Sequence, residues 1–302
     1  MRLTAIAFAL LAAACSNDRG EAPEGVSAAQ DAKTEAVAHP SAAAARPRLQ
    51  PIWVAQGFDA PEGVAPAPDG GYFISNVGGD GETKDGAGWI SKLSADGEIL
   101  AARFIDGLDG PKGMAVFDGR LYVADIDRVR VFDAASGAPA EVITIDGAEF
   151  LNDATAWNGE VFVSDSATAR IWRMAPEGPV IWREGEDLKG VNGLLGVGDR
   201  MLISTMTSGS LYEATSGSGW REIATGMIDA DGIGIVPERA GGGYLVSSWP
   251  GEIHHVAADG TVASLLNTRE AEILQNDLTI FDDIVIVPNW MPGTVTAWRV
   301  AG

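Results

Sequence analysis

Apolar and polar positions alternate along this chain in short runs, and the runs come in sets. The stretch LNDATAWNGEVFVSDSATARIWRM, which begins at Leu151, shows one set. An apolar strand over 154–157 meets an Asn158-Gly159 turn. A second strand over 161–164 ends on Asp165, and a third covers 170–174. Two such strands joined by Asn-Gly predict a tight hairpin, because both turn residues need positive φ. The same order recurs in PEGVAPAPDGGYFISN from Pro61, PKGMAVFDGRLYVAD from Pro111, VNGLLGVGDRMLIST from Val191, ADGIGIV with GGGYLVSS from Ala230, and QNDLTIFDDIVIVPN from Gln275.

The second residues of these six units are Glu62, Lys112, Asn152, Asn192, Asp231 and Asn276, spaced by 50, 40, 40, 39 and 45 residues. Four-stranded propeller blades repeat every 40–50 residues or so. Third strands follow, as at 129–132 and 211–213. Most units add a fourth after a turn, as at 99–104 behind Asp96-Gly97 and at 180–182 behind Glu177-Gly178. The sixth unit ends after its third strand, while a spare strand, 51–55, precedes the first unit. The pattern predicts an all-β fold over 49–302: a six-bladed β-propeller of four-stranded blades, its ring closed by the N-terminal strand, which leaves no open edge. An open β-sandwich is the rival arrangement.

Residues 1–15, MRLTAIAFALLAAAC, read as a signal peptide: Arg2, an apolar run too short to span a bilayer in the mature protein, then small residues. The single cysteine, Cys15, ends that run and resembles the cysteine of a bacterial lipobox, although Leu11 lies one place further away than the usual leucine. The expectation is an exported, periplasmic lipoprotein with a lipid on Cys15. Ser16 points weakly to the outer membrane, and ordinary cleavage beside an incidental cysteine is the alternative. One cysteine allows no intramolecular disulfide. Residues 16–48 are Ala-rich, lack apolar periodicity and read as a disordered tether.

A formal net charge of −21 disfavours nucleic acid as a partner and is compatible with cation binding. In an up-and-down blade, the start of the first strand and the end of the second lie at one end of the ring. The six aligned residues should therefore surround the channel mouth, together with Asn76, Asp125, Asp165, Thr205, Trp249 and Asn289-Trp290. Glu62, Asn152, Asn192 and Asp231 offer two carboxylates and two amide oxygens. That hard-oxygen set suits Ca2+ first, with Mg2+, Mn2+ and Zn2+ as further candidates. Asn-Asp and Asp-Gly are also common turn pairs, but recurrence at one blade position weakens a purely structural account.

PEGV, LNDATA, VNGLL and DADGIGI resemble the metal-site segments of the senescence marker protein/gluconolactonase (regucalcin-like) family, whose superfamily includes calcium-dependent phosphotriesterase propellers. The resemblance spans the ring. It implies a catalytic divalent metal held by Glu62, Asn152, Asn192 and Asp231, and hydrolysis of lactones or, in some branches, phosphoester-type bonds. It also implies that Asp231 activates water as the catalytic base or attacks directly, while the metal polarises the lactone carbonyl.

The remaining positions carry further expectations. Lys112 departs from the family pattern and would reach a substrate oxygen, or else pair with Glu62 or Asp231 and compete with the metal. Asp125 and Asp165 are candidate substrate contacts. Trp249 and Trp290 could form apolar walls or pack between blades. Asn276-Asp277, the sixth entry, could support the ring or add a ligand, with Asn276 a candidate substrate contact. The Gly-rich stretch 77–88 reads as a lid or as a tolerated insertion. His254 and His255 fall in a third strand, at least one pointing outward by alternation, with structural roles. The function expected is an exported metal-dependent hydrolase of the lactonase type, a monomer acting on a small molecule. The alternative is a non-catalytic propeller lipoprotein binding a small ligand or protein on the same face. A strictosidine-synthase-like activity shares the ring but not the acid and amide set.

Overall fold

A computed structural model describes residues 46–217 and 219–302. The expectations for the signal segment, Cys15 and the tether as far as residue 45 fall on residues outside that range. Five sheets of four antiparallel strands follow one another in strict sequence order, each a simple meander. The third, Leu151–Trp157, Glu160–Asp165, Arg170–Ala175 and Gly178–Glu184, contains the repeat that opens the sequence reading. Its Asn158-Gly159 turn has φ of 51° and 80°, so both residues take the left-handed conformation that favours this pair.

The sixth blade is assembled from both parts of the chain. Its outer strand is Arg48–Gln56, paired antiparallel with Thr294–Ala301, which in turn pairs with Ile284–Met291. Its innermost strand differs from the expected continuous one. It breaks into Leu274–Gln275 and Thr279–Phe281, with Asn276, Asp277 and Leu278 between. Trp53 then reaches over the neighbouring first blade, donating from Nε1 to the Ala95 carbonyl at 3.2 Å and lying against Gly97. Any side chain at residue 97 would collide with that indole ring.

The hydrophobic core is six slabs, one between each pair of neighbouring blades. The last slab packs Val64, Ile74 and Leu93 of the first blade against Ile286, Val295 and Ala297 of the sixth. Middle strands are thus covered on both faces. This explains why alternation misjudged Glu252–Val256, where His254 and His255 are both buried. Among the described residues the His254 Nε2 has no partner, whereas His255 Nε2 meets the Gly242 carbonyl at 2.8 Å.

Candidate functional site

One local irregularity repeats around the ring and builds the site. In five blades the innermost strand slips register between its first and fourth residues: Pro61/Val64, Pro111/Met114, Leu151/Ala154, Val191/Leu194 and Ala230/Ile233. In the sixth, the strand break falls at the same place. Such bulges re-aim side chains away from the sheet normal. The first bulged residue is Glu62, Lys112, Asn152, Asn192, Asp231 or Asn276, and all six are buried. All six also line one cavity of about 200 Å³ at the channel mouth, with Asp80, Gly81, Glu82, Phe150, Met206, Trp249 and Trp290 around them.

The second bulged residue faces the next blade and has almost no room. It is glycine at 63, 113, 193 and 232. A Cβ at Gly193 would stand 2.8 Å from Ser204 Oγ and collide with the Asp231 carbonyl. Aspartate occupies the other two places. Asp153 accepts from the Ala154 N–H at 2.7 Å and, across the blade boundary, from the Leu194 N–H at 2.6 Å; Asp277 accepts from the Leu278 N–H at 2.7 Å. The bulge amides are held by serines near the ends of the second strands. Ser75, Ser164 and Ser204 accept from the N–H of Gly63, Asp153 and Gly193 at 2.7, 2.8 and 2.8 Å. Ser164 also donates to the Asn192 carbonyl at 2.7 Å, and Ser204 donates to that of Asp231. Sequence reasoning assigned no role to Asp153 or to these serines, and left Asp277 between supporting the ring and adding a ligand. The signal present was the recurring serine in FISN, FVSD, LIST and LVSS.

The electrostatics of the cavity are lopsided. Burial, then the nearby Asp231 and Asp153 charges, raise the Glu62 carboxyl well above its ordinary range against the opposing pull of Lys112. Burial and Asp153 push Asp231 up to about 8, with the Asn192 side chain pulling it down. Burial lifts Asp153 to about 7 and, with Asp153, Asp231 and Glu62, lifts Asp277 well above the carboxylate range. Lys112 does not neutralise these acids by contact: among the described residues no ion pair joins it to Glu62 or Asp231. Its Nζ donates to the Gly81 and Gly110 carbonyls at 3.3 and 3.4 Å and sits over the Phe150 ring, 4.4 Å from the centroid. Burial is the first cause that lowers its own pKa.

The donor set fits a hard divalent cation. Asn192 Oδ1 is buried with no hydrogen-bond partner among the described residues. The Asn152 amide nitrogen is engaged by Ser166 Oγ at 3.2 Å, which fixes the orientation of its oxygen. Two carboxylates that resist ionisation and two amide oxygens, one of them orphaned, make a group that a cation would complete. No cluster of three or more His, Cys, Asp or Glu side chains suited to a metal occurs among the described residues. This set has two carboxylates, and its other donors are amides.

The other expected residues divide. Trp249 and Trp290 line the cavity and meet edge to face, with ring centroids 5.9 Å apart. Asp125 and Asp165 do not line it. Asp125 accepts from the Asp109 and Gly110 N–H groups at 2.9 and 2.8 Å, and Asp165 accepts from those of Glu149 and Phe150 at 3.2 and 3.1 Å. Each pins the loop leading into its own blade, as Asn76 does by accepting from Asp59. The 77–88 stretch lies across the first two blades. Its Gly86 N–H donates to Asp109 at 3.0 Å and its Lys84 pairs with Asp127 at 2.5 Å. Asp80, Gly81 and Glu82 bring it to the cavity.

No protein-family profile matches the chain, and no curated protein matches it. Solved structures do. A gluconolactonase from Xanthomonas campestris superposes with a TM-score of 0.64 at 15% identity, over 85% of this chain and 95% of that one. Virginiamycin B lyase from Staphylococcus aureus gives 0.59 at 11%, over 84% and 99%. A chain of a nidogen/laminin complex gives 0.58 at 14%, over 69% and 85%. At such identities the likeness is one of fold alone, and it extends to proteins of differing description.

Proposed function

We propose that the chain is a divalent-metal-dependent hydrolase of lactones or related esters, acting at the mouth of the propeller channel. One observation carries this reading: Glu62, Asn152, Asn192 and Asp231, four bulge residues from four blades, converge on one cavity with an orphaned amide oxygen and, among the described residues, no contacting counter-ion for either acid. Ca2+ is the ion this hard-oxygen set suits best. Bound there, it would supply Lewis-acid polarisation of the substrate carbonyl.

The chain's own residues supply the rest. Asp231, as carboxylate, takes a proton from the attacking water while the water oxygen bonds to the carbonyl carbon. The carbon–oxygen bond of the ring then breaks, and that proton passes to the departing alkoxide, giving a hydroxy acid. Asn152 and Asn192 orient through Ser166 and Ser164. Trp249 and Trp290 exclude water from one side of the cavity.

Lys112 favours a second reading. A resident cation in the wall partly balances the acids, and the same face would then bind a small ligand or protein without chemistry. Calorimetry on the full chain with Ca2+, Mg2+ and Mn2+, for wild type, Asp231→Ala and Asn192→Ala, separates the two when followed by a lactone and phosphotriester panel. Stoichiometric binding lost in both variants, with turnover, supports the hydrolase. Binding without turnover supports the ligand-binding propeller. No binding by folded wild type sinks the metal site.

For location we propose export and lipid attachment at Cys15. Mass spectrometry of the membrane fraction, for wild type and Cys15→Ala, tests it: a diacylglycerol-modified N-terminus must be present in one and absent in the other.

A further inference from the structure

The floor of the cavity is polar all round, but its walls are unequal. On the side of the fifth and sixth blades stand Trp249 and Trp290, edge to face, and Met206 continues that wall into the fourth blade. Met206 also lines an adjoining cleft of about 240 Å³ that runs out past Met227 and Ile228. Ile228 is 65% exposed, although it sits two residues from the buried Ala230. The opposite side is acidic, with Asp80 and Glu82 on the cavity and Glu149 on the next cleft.

A sugar lactone presents a hydroxyl on nearly every ring carbon, and each needs a partner when buried. Trp249, Trp290 and Met206 offer such hydroxyls little beyond indole N–H groups, and on the floor Lys112 is held by the carbonyls of Gly81 and Gly110 and the Asn152 amide nitrogen by Ser166. The apolar wall of Trp249, Trp290 and Met206 leads toward solvent through a cleft lined by Ile228 together with Thr207, Ser208 and Asp229. An isoleucine exposed at the end of such a path gains by being covered. The acidic side repels an anionic substrate and also repels the carboxylate that hydrolysis releases.

We propose that the substrate is an uncharged lactone or ester bearing a hydrocarbon arm, which lies along Trp249, Trp290 and Met206 and runs out over Ile228. The reacting part rests on the hydrolase reading above, whereas seating of the arm does not. The structure therefore favours an alkyl-substituted ring over a polyhydroxylated one.

The test uses the full chain and matched probes. Hydrolysis is measured on δ-dodecalactone, δ-valerolactone and glucono-δ-lactone, and binding by calorimetry on the lactam counterparts of the first two, which resist turnover. The alkyl-bearing lactone should exceed both others by at least tenfold in kcat/KM, and its lactam should bind at least tenfold tighter than the unsubstituted one. Both ratios should fall below about threefold in Trp290→Ala and in Ile228→Glu. The second is a surface change that leaves the core untouched, and a ratio taken within one protein is insensitive to partial unfolding. Tight lactam binding without hydrolysis of any lactone upholds the arm site and overturns the hydrolase. Hydrolysis with ratios near one, or with glucono-δ-lactone preferred, overturns the arm site and leaves the hydrolase standing. Equal or undetectable binding of both lactams likewise overturns it.

Discussion

The Ser204 hydroxyl donates to the backbone carbonyl of Asp231 while accepting from the Gly193 N–H. One side chain thereby ties the bulge of the fourth blade to that of the fifth. Ser164 repeats the link one blade earlier, between Asp153 and Asn192. Two of the four candidate ligands are thus placed by a hydroxyl from the preceding blade.

Replacing Ser204 by alanine strands a buried N–H and a buried carbonyl, which costs about 1–3 kcal/mol. It should also weaken cation binding about tenfold, since supporting bonds fix ligand orientation. Urea unfolding and Ca2+ calorimetry read the two effects separately. Lost stability with unaltered affinity would mean that the bridge serves the ring alone.

The glycines beside the ligands should be intolerant. In Gly193→Ala the new methyl meets the Asp231 carbonyl and Ser204, and in Gly232→Ala it meets Asp277 and the Leu278 backbone. Neither backbone can retreat without opening the blade boundary, so each should cost about 1–3 kcal/mol or more. Gly217→Ala, with nothing within 4 Å, should stay within about 0.5 kcal/mol. Equal urea midpoints for all three would refute the packing argument.

How much of this was legible in the sequence follows from which interactions are local. Turn chemistry and period-two alternation are local, so the hairpin at Asn158-Gly159 and the blade period could be read, whereas the non-local pairing of Arg48–Gln56 with Thr294–Ala301 was reached only by counting strands, which left 51–55 spare and the sixth unit one strand short. Aligning Glu62, Lys112, Asn152, Asn192, Asp231 and Asn276 placed all six on one cavity, because one blade position repeats one geometry. The role of the next residue was not legible. Asp153 and Asp277 hold backbone amides that only the bulge exposes, and no dipeptide pattern distinguishes them from turn aspartates. Asp125 and Asp165 sit at the right end of their strands, yet they fold back onto their own loops, a choice set by unpaired N–H groups nearby. His254 and His255 defeat alternation because both faces of a blade are covered.

Stability without added metal should fall as pH rises. Asp231 has an ordinary value of 3.8 and a folded value of about 8, and Asp153 moves from 3.8 to about 7. Between those limits the folded chain holds protons that the unfolded chain has released. The stabilisation is therefore complete below about pH 4 and is lost progressively as pH climbs toward 7–8. Glu62 and Asp277 act in the same direction. A bound divalent cation removes the penalty on the ionised forms, so Ca2+ should raise Tm more at pH 8 than at pH 5. Thermal scans of chelated and Ca2+-loaded protein across that range decide it, and a Ca2+ effect that is flat with pH would contradict it.

Lys112 sets the last expectation. Its Nζ lies on the cavity wall, held by two carbonyls and the Phe150 ring, and its charge acts on Glu62 without touching it. Lys112→Met keeps the apolar stem on Phe150 and removes the charge. A divalent cation among the acids then loses a like-charged neighbour, and Ca2+ affinity should rise by roughly 3–30-fold. The same change releases Gly81, so hydrogen exchange in residues 77–88 should quicken. If Lys112 also holds a substrate oxygen, kcat/KM falls while Ca2+ binds more tightly, an opposition that no simple loss of folding produces. Weaker Ca2+ binding in the variant would instead show that the lysine matters to the cation through the loop it holds, with its charge secondary.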